Sequence, residues 1–444
     1  MNSKLQDYIQ GSKFIQARDE LIQMNPVDIA QLLETLETEK MIVTFRLLPK
    51  ELAADVFSYM SNKYQEHIIE GATDSEMKSI LNELFFDDTI DLLEEMPSNV
   101  VKKILKNTSS EKRTLINQFL DYPQDSAGSI MTIEYIALKK EMSVESALTY
   151  IKKNGVDKET IHTCYVTDKN RKLEGLITLR KLILSDSNIS VGDLMQQNIR
   201  FIHTHDDQEN IAGLFKKYDF LSMPVVDNEN RLVGIITIDD IVDIIDQENT
   251  EDFQKMAAMQ PSDGEYLDTN ILSLAKHRIL WLLVLMISAT FTGNIIRQFE
   301  DILQTVVVLT AFIPMLMDTG GNAGSQSATL VIRGLALDEI QLKDILKVLW
   351  KELRVSFVVG IALAGINFIR IYYFEKTDFM ITLVVCLSLF MTIILAKIVG
   401  GVLPIFAKKL NLDPAIMASP LITTIVDAFA LMAYFSLASA LIGL

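Results

Sequence analysis

Hydrophobic and polar residues alternate in three different ways along the chain, and each pattern predicts a different kind of structure. In the first 125 residues Leu and Ile recur every three or four positions, as in "VDIAQLLETLE" and "DDTIDLLEEMP". This period, with Asp or Pro at the start of each segment, predicts short amphipathic helices. Because the helical units follow one another along the chain, we expect an all-α, solenoid-like N-terminal domain over residues 1–128, although the spacing of the units is uneven.

Residues 131–245 contain two copies of one pattern, in which an apolar strand, a polar turn, a second apolar strand and a helix follow one another. The stretches "CYVTDKNRKLEGLIT" and "MPVVDNENRLVGIIT" align without a gap at an offset of 59 residues. This predicts two α+β modules, residues 129–190 and 191–248. The repeat resembles a cystathionine-β-synthase (CBS) domain pair. The resemblance implies an adenine nucleotide such as ATP as a ligand, and a role in packing alone is the alternative.

The last third of the chain is strongly apolar. A bilayer core of about 30 Å needs about 20 apolar residues per helix. Five stretches meet this requirement: 279–296, 302–332, 346–374, 379–407 and 415–443. We therefore expect an all-α transmembrane domain of five helices over residues 276–444, joined to the second α+β module by a connecting helix over residues 249–275.

The second apolar stretch carries Pro314 and then "DTGGNAGSQSAT", a run of small and polar residues at membrane depth. Close helix packing through small residues would explain the glycines but not the polar residues. Asp318, Asn322 and Gln326, however, share one helix face at four-residue spacing and all offer oxygen atoms. The pattern therefore favours an interrupted helix that lines a wet cavity.

The fifth stretch contains a carboxylate, Asp427, in its interior. An ionised Asp at the centre of a membrane helix costs about 2.5–3.5 kcal/mol, and its side chain is too short to reach the interface. Lys397 in the fourth stretch is one candidate partner, and a cation in a pore is the other. Thr423 and Thr424 extend a polar stripe beside Asp427, which favours the cation.

The acidic residues are concentrated in the first 275 residues. Residues 1–130 hold 13 Lys and Arg against 22 Asp and Glu, and residues 131–275 hold 15 against 25, whereas residues 276–444 hold 13 against 11. Such an acidic soluble half argues against a nucleic-acid partner. "MNSKLQDYIQGSKFIQARDE" has no apolar core, so a signal peptide is not expected.

The basic residues that flank the apolar stretches predict an orientation. Lys and Arg cluster before the first stretch, between the second and third, and between the fourth and fifth, at Lys276, Arg278, Arg333, Lys343, Lys347, Lys351, Arg354, Lys408 and Lys409. By the positive-inside rule this side is the cytoplasm. We therefore expect a multi-pass protein of the cytoplasmic membrane with a cytoplasmic N-terminus and an external C-terminus.

Acidic residues recur at helical spacing in two soluble regions. Asp87 and Asp91 share a helix face, and seven acids without a base lie between Asp239 and Asp252. Each run could form a solvated helix face, or the two runs together could form a shared cation site, and the sequence does not decide between these alternatives. Neither run has the spacing of a calcium-binding EF-hand loop. An enzyme is not expected, because no nucleophile–base set and no phosphate-binding GxxxxGK[ST] loop occur.

The whole arrangement resembles the MgtE family of magnesium channels and transporters. The resemblance is carried by "FFDDTIDLLEEMP" (85–97), "GGNAGSQSATLVIRGLA" (320–336) and "LDPAIMASPLITTIVDAFALMAYF" (412–435), with departures at Asp318 and Ser419. It implies a homodimer with a pore on its two-fold axis and Mg²⁺ as the ion. It assigns pore residues to Asp427, Asn322, Asp318, Ser419 and Thr423, and a further candidate metal ligand to Asp413.

The resemblance also implies a cytoplasmic Mg²⁺ sensor that closes the pore when Mg²⁺ bridges the acidic domains. Its ligands are expected at Asp55, Asp87, Asp91, Asp219, Asp240, Asp243, Glu248, Glu251 and Asp252. Glu251, Asp252 and the linker "QPSDGEYLD" are the expected coupling to the pore. Two alternatives remain: transport of another divalent cation such as Co²⁺ or Mn²⁺, and a membrane-tethered CBS sensor without transport.

Overall fold

A computed structural model describes residues 3–262, 266–267, 269–417 and 419–442. The chain forms two compact units, Met1–Ile245 and Asp246–Leu444. The first holds the acidic helices and the repeat, and the second holds the apolar helices.

The N-terminal part consists of short helices, as its period predicts. Three of the described helices in this part begin at side-chain caps that supply missing acceptors of the first turn: Asn25 accepts from the Val27 amide, Thr73 and Glu76 form a reciprocal capping box, and Ser109 accepts from the Lys112 amide. The helices are α1 Ser3–Gln10, α2 Phe14–Leu21, α3 Pro26–Glu34, α4 Thr38–Phe45, α5 Lys50–Ser58, α6 Asn62–Gly71, α7 Asp74–Glu83, α8 Phe86–Glu95, α9 Ser98–Asn107 and α10 Ser110–Phe119.

The repeat forms two three-stranded sheets with the same topology, which confirms the predicted strand–turn–strand–helix pattern. In each sheet a short strand runs parallel to the middle strand, which pairs antiparallel with the third. The strands are β1 Ala137–Leu138, β2 Thr163–Thr167 and β3 Leu173–Thr178, then β4 Ile202–His203, β5 Ser222–Val226 and β6 Leu232–Thr237. The helices of this region are α11 Ala127–Ile130, α12 Val144–Asn154, α13 Leu179–Ile183, α14 Val191–Leu194, α15 Gln208–Tyr218 and α16 Ile238–Met256.

The two repeats contact each other through equivalent residues. The Leu173 amide donates to the Asn230 carbonyl (3.1 Å), and the Leu232 amide donates to the Arg171 carbonyl (2.9 Å). Arg171 and Asn230, 59 positions apart, both have a left-handed backbone, with φ of 65° and 59°. The repeat is therefore preserved in the backbone of the turns as well as in the strands.

Helix α16 differs from the predicted connecting helix over residues 249–275. It begins earlier, at Ile238, and ends at Met256, and the next helix begins at Ile271. Between them the described residues 257–262, 266–267 and 269–270 form turns, bends and irregular backbone. Residues 263–265 and 268 of the predicted coupling linker lie outside the described residues.

The second unit is helical. Its α-helices are α17 Ile271–Gln298, α18 Glu300–Thr305, α19 Ile313–Ala336, α20 Ile345–Ile369, α21 Phe379–Lys409 and α22 Ser419–Ile442. Within the described ranges, four helical segments are long and apolar enough to cross a membrane: Ile271–Gln298, Leu342–Phe374, Phe379–Lys409 and Pro414–Ile442. The five-helix count stays a prediction.

The predicted interruption within "DTGGNAGSQSAT" is wrong. The irregular backbone lies earlier, in a 3₁₀ turn at Val307–Phe312, and α19 is regular from Ile313 onward. Pro314 lies in its first turn, where a missing amide proton costs little. The glycines of α19 serve close packing, since a Cβ on Gly400 of α21 would lie only 2.2 Å from the Gly324 carbonyl oxygen.

Candidate functional site

One face of α19 is lined by oxygen-bearing side chains. Asp318, Asn322 and Gln326 follow one another at four-residue spacing, and all three are exposed in the single chain. A neighbouring side of the helix packs closely against α22, since a Cβ on Gly321 would lie 2.7 Å from Cγ2 of Thr423. The small residues thus bring α22 against α19 and leave the polar face open.

Asp427 of α22 lies beside this polar face. Its carboxylate is half-buried, and it repels the carboxylate of Asp318. Its Oδ1 atom is buried and has no hydrogen-bond partner in the described part of the chain. The Thr423 hydroxyl donates to the Pro420 carbonyl (2.9 Å), so its oxygen lone pairs remain available. These groups offer oxygen ligands, which hard cations such as Mg²⁺ prefer.

Lys397 does not neutralise Asp427, so the ion-pair reading of the sequence is wrong. The Lys397 ammonium donates to the Ser327 hydroxyl (3.3 Å), which donates in turn to Oε2 of Glu352 (2.6 Å). All three residues are buried. They join α19, α20 and α21 in a polar chain that is separate from Asp427. Ser419 begins α22, but its side chain lies outside the described residues.

A second group of carboxylates lies in the first unit, where Asp87 at the start of α8 is only 8% exposed. Asp240, at the start of α16, raises the energy of the ionised Asp87, as do Glu134 and Glu159 from the loops of the first repeat. Glu134 also accepts the Phe86 amide proton (2.9 Å). This hydrogen bond ties the first turn of α8 to the segment before β1.

Burial and mutual repulsion raise the pKa values of this group. Burial first, and then Asp240, raises the pKa of Asp87 well above its usual range. Burial raises the pKa of Asp88 and of Asp240 to about 6, and the pKa of Glu159 to about 8. Such acids are costly to ionise together, and a divalent cation between them would remove that cost.

Asp87 and Asp240 were predicted from the sequence as metal ligands, whereas Asp88, Glu134 and Glu159 were not. Asp88 follows Asp87 directly and could have been included from the acidic run. Glu134 and Glu159 do not belong to an acidic run in the sequence. The packing of α8 against the repeat is what brings them near Asp87.

The remaining predicted sensor residues of the first unit are more peripheral. Asp55 is exposed, and its carboxylate repels that of Asp88. Burial first, and then the Glu51 carboxylate, raises the pKa of Asp55. Asp91 lines a small cavity together with Asp88. Asp219 ends α15 in a left-handed conformation, and Asp243 is exposed on α16.

A third acidic group lies in the second unit, at the end of α16. Lys255 forms ion pairs with Asp413 (Nζ–Oδ2 2.6 Å) and with Glu251. Burial first, and then Asp413, raises the pKa of Asp252 to about 6, and Glu248 adds to the effect. These four acids were predicted from the sequence as metal ligands. Lys255, whose ammonium forms ion pairs with two of them, was not predicted as part of the group.

Within the described ranges, no three Asp, Glu, His or Cys side chains are arranged so that they could hold a metal ion by themselves. A cation at any of these groups would need amide, backbone or water oxygens, or carboxylates from a second copy, to complete its coordination. Mg²⁺ commonly keeps several waters and takes few carboxylates, so sparse carboxylate groups suit it.

Three known sequence families match the chain. The MgtE family, described as divalent cation transporters, matches residues 313–437, and the MgtE intracellular N domain matches residues 24–125. CBS domains match residues 127–187 and 191–247. The matched ranges therefore include Asp427, Asp87 and Asp413, one residue from each of the three acidic groups.

Curated relatives match over almost the whole length. The magnesium transporter MgtE of Thermus thermophilus is 34% identical, with 99% of this chain and 98% of the relative covered. The magnesium transporter MgtE of Bacillus subtilis is 32% identical, with 94% of each covered. Among solved structures, the cytosolic domain of the Mg²⁺ channel MgtE in complex with ATP is 34% identical with a TM-score of 0.53. The match covers 55% of this chain and 100% of the chain in that structure.

Proposed function

The chain belongs to the MgtE family of divalent cation transporters, and on this premise we propose that it moves Mg²⁺ across a membrane. The observation that carries the proposal is the Oδ1 atom of Asp427, which is buried at a membrane helix and lacks a partner among the described residues. A carboxylate in that position is stabilised by a cation. Cys and His occur in residues 276–444 only as Cys386 and His277, and this composition favours Mg²⁺ over softer metals such as Co²⁺.

The conducting form is proposed to be a homodimer with its pore on the two-fold axis. In one chain Asp318 and Asn322 are exposed on a helix at membrane depth, which is unfavourable if they face lipid. An isologous dimer places each group opposite its own copy. Two Asp427 carboxylates, two Asn322 amides and the Thr423 hydroxyls would then surround a hydrated ion, with Ser419 and Asp318 nearer the ends of the pore.

We propose that the soluble half lies in the cytoplasm and that Mg²⁺ enters the cell down its electrochemical gradient. The support is the clustering of Lys and Arg on one side of the apolar helices. The external C-terminus and the five membrane crossings belong to the same proposal.

Cytoplasmic Mg²⁺ is proposed to close the pore. Asp87, Asp240 and Glu159 are held together at an energetic cost that Mg²⁺ would remove, so the compact arrangement would bind Mg²⁺ better than an expanded one. At the end of α16, Met256 packs against a cluster that includes Ile422 and Val426, next to Asp427. Movement of α16 would therefore reach the proposed ion site.

ATP is proposed as a second ligand of the CBS pair. The support is the relative whose cytosolic domain was crystallised in complex with ATP, together with the two CBS domains of this chain. Named relatives are transporters, and no enzymatic activity is proposed.

The deciding experiment measures Mg²⁺ uptake into liposomes that contain the purified full chain, its Asp427→Ala variant or its Asp301→Ala variant. Asp301 is an exposed acid in the first turn of α18 and serves as the matched control. Uptake should fall by at least about tenfold in Asp427→Ala, which corresponds to about 1.4 kcal/mol of lost cation stabilisation. Asp301→Ala should behave like the wild type.

Equal uptake by all three folded proteins would move the conducting site away from Asp427. Uptake of Co²⁺ or Mn²⁺ in preference to Mg²⁺ would support the alternative cation. A folded wild type that admits none of these ions would support the membrane-tethered sensor.

A further inference from the structure

A cavity of about 470 Å³ opens between the beginning of α19 and the end of α20. Its wall includes Met315 and Thr319 from α19, Leu363 and Asn367 from α20, and Arg370 just beyond α20. It is thus mostly apolar with a few polar groups at one end, as ligand sites commonly are. Asp427 and Asn322 are not among its lining residues, although Met315 and Thr319 lie on the same side of α19 as Asn322, one to two turns earlier.

The polar end of the cavity holds hydrogen-bond donors that lack good acceptors. Asn367 is only 7% exposed. Its Oδ1 accepts from Nε of Arg370 (3.0 Å), and because a guanidinium can only donate, this bond fixes which end of the amide is nitrogen. The Nδ2 atom is buried and has no hydrogen-bond partner among the described residues.

Arg370 is also incompletely satisfied. Among the described residues its Nη1 donates to Glu375 (2.7 Å), whereas its Nη2 donates to the thioether sulfur of Met315 at 3.4 Å, a weak acceptor. Asn367 and Arg370 therefore bring two under-used donors to one end of the same cavity. A ligand oxygen would satisfy them better than the protein does.

The surroundings place this end of the cavity at a membrane surface. The apolar segment Leu342–Phe374 ends there. Tyr373 and Phe374 are 66% and 80% exposed, and Phe368 stacks on Tyr372. Exposed aromatic side chains at the end of a span are typical of the interface with lipid headgroups.

We propose that this cavity binds a membrane phospholipid. Its phosphate or ester oxygens would accept from Asn367 Nδ2 and the free edge of Arg370, and an acyl chain would lie along Leu363 and Ile366, which is 66% exposed. Free phosphate suits the cavity less well, because Glu375 already neutralises part of Arg370 and the other walls are apolar. This inference does not depend on which ion the protein moves.

The test is the phospholipid content of the full chain after purification in detergent, measured by native mass spectrometry for four proteins. They are the wild type, Arg370→Gln, Asn367→Leu and the matched control Arg297→Gln. Arg297 is an exposed arginine in the last turn of α17. Leu363→Trp, which fills the apolar part without touching the donors, is measured as a further variant.

The wild type and Arg297→Gln should retain phospholipid through washes that strip it from the other variants. Loss of one or two hydrogen bonds to a charged group should weaken retention by about tenfold or more. Equal retention by all variants, or displacement of the lipid by inorganic phosphate, would overturn the proposal. A wild type that carries no phospholipid would also overturn the proposal. The same holds if the variants lose lipid only when their oligomeric state changes, because the cavity would then be a contact between copies of the chain.

Discussion

The ammonium nitrogen of Lys255 lies 2.6 Å from a carboxylate oxygen of Asp413 and also pairs with Glu251. The chain thus supplies its own cation to acids that were predicted to bind Mg²⁺. An ammonium and a divalent ion would compete for the same oxygens.

Lys255→Met should therefore tighten the binding of Mg²⁺ to this group. We expect the Mg²⁺ concentration that half-protects α16 from proteolysis in the full chain to fall by about tenfold, which is about 1.4 kcal/mol. The matched control is Lys140→Met, which removes an exposed ion pair with Glu174 in the first repeat. An unchanged midpoint in Lys255→Met would mean that Mg²⁺ does not compete with this lysine.

The acidic group around Asp87 should make the first unit less stable as the pH rises. Unfolded Asp and Glu lose their protons near pH 4, whereas folded Asp88 and Asp240 have pKa values of about 6 and Glu159 of about 8. The folded state therefore binds more protons between pH 4 and 8, so the free energy of unfolding falls as the pH rises through that window.

Hydrogen exchange of the α8 amides in the full chain, corrected for intrinsic rates, measures this effect at pH 5 and pH 8. Without divalent ions the protection of α8 should be lower at pH 8, and Mg²⁺ should restore much of it. The amides of α12, away from the acidic group, provide the internal control. Protection that rises with pH in the absence of Mg²⁺ would contradict the assignment.

Gly400→Ala should destabilise the second unit. The new methyl group would lie 2.2 Å from the Gly324 carbonyl oxygen, so α19 and α21 would have to separate. Overpacking of this kind costs about 1–3 kcal/mol. Gly365→Ala in α20 is the matched control, because a Cβ there meets nothing within 4 Å. Thermal unfolding in detergent should show a lower midpoint for Gly400→Ala only, and equal midpoints would disprove the close contact.

Ser327→Ala should destabilise the protein through the charged groups that it bridges. Removal of the hydroxyl leaves the Lys397 ammonium and the Glu352 carboxylate without their shared partner, at a cost of about 1.5–3 kcal/mol. Lys397→Met and Glu352→Gln should each be harmful, and the double variant should cost less than their sum. Additive losses in the thermal midpoint would indicate that the three residues do not act as one network.

The sequence predicted those parts of the fold that depend on local pattern. The repeat was recognisable because its turns and strands recur at one offset, and the structure pairs Cys164 with Ile177 as it pairs Met223 with Ile236. Four of the five predicted apolar stretches correspond to helical segments long enough to cross a membrane within the described ranges, and the fifth crossing stays a prediction. The polar face of α19 was found from four-residue spacing alone.

Features that depend on tertiary packing could not be predicted in this way. Gly320 to Gly324 suggested an interrupted helix, because the sequence does not reveal the neighbouring helices that press against them. The sequence left Lys397 open as a candidate partner of Asp427 for the same reason: Asp427 and Glu352 are both acids in apolar helices, and only the packing of α21 places Lys397 on the Ser327 hydroxyl that also contacts Glu352. Glu134 and Glu159 reach Asp87 only once α8 has docked.

The paired turns of the two repeats have a consequence for how a duplicated module diverges. Asn is readily accommodated in the left-handed conformation that both turns require, but Arg is not, so Asn230 fits its turn better than Arg171 does. The Arg171 guanidinium crosses to the second copy and donates to the Leu232 carbonyl (3.0 Å). Asn230 has no side chain long enough to return that contact. One turn thus carries a residue that suits its left-handed backbone, while the other carries an arginine that strains the turn and binds the two repeats to each other.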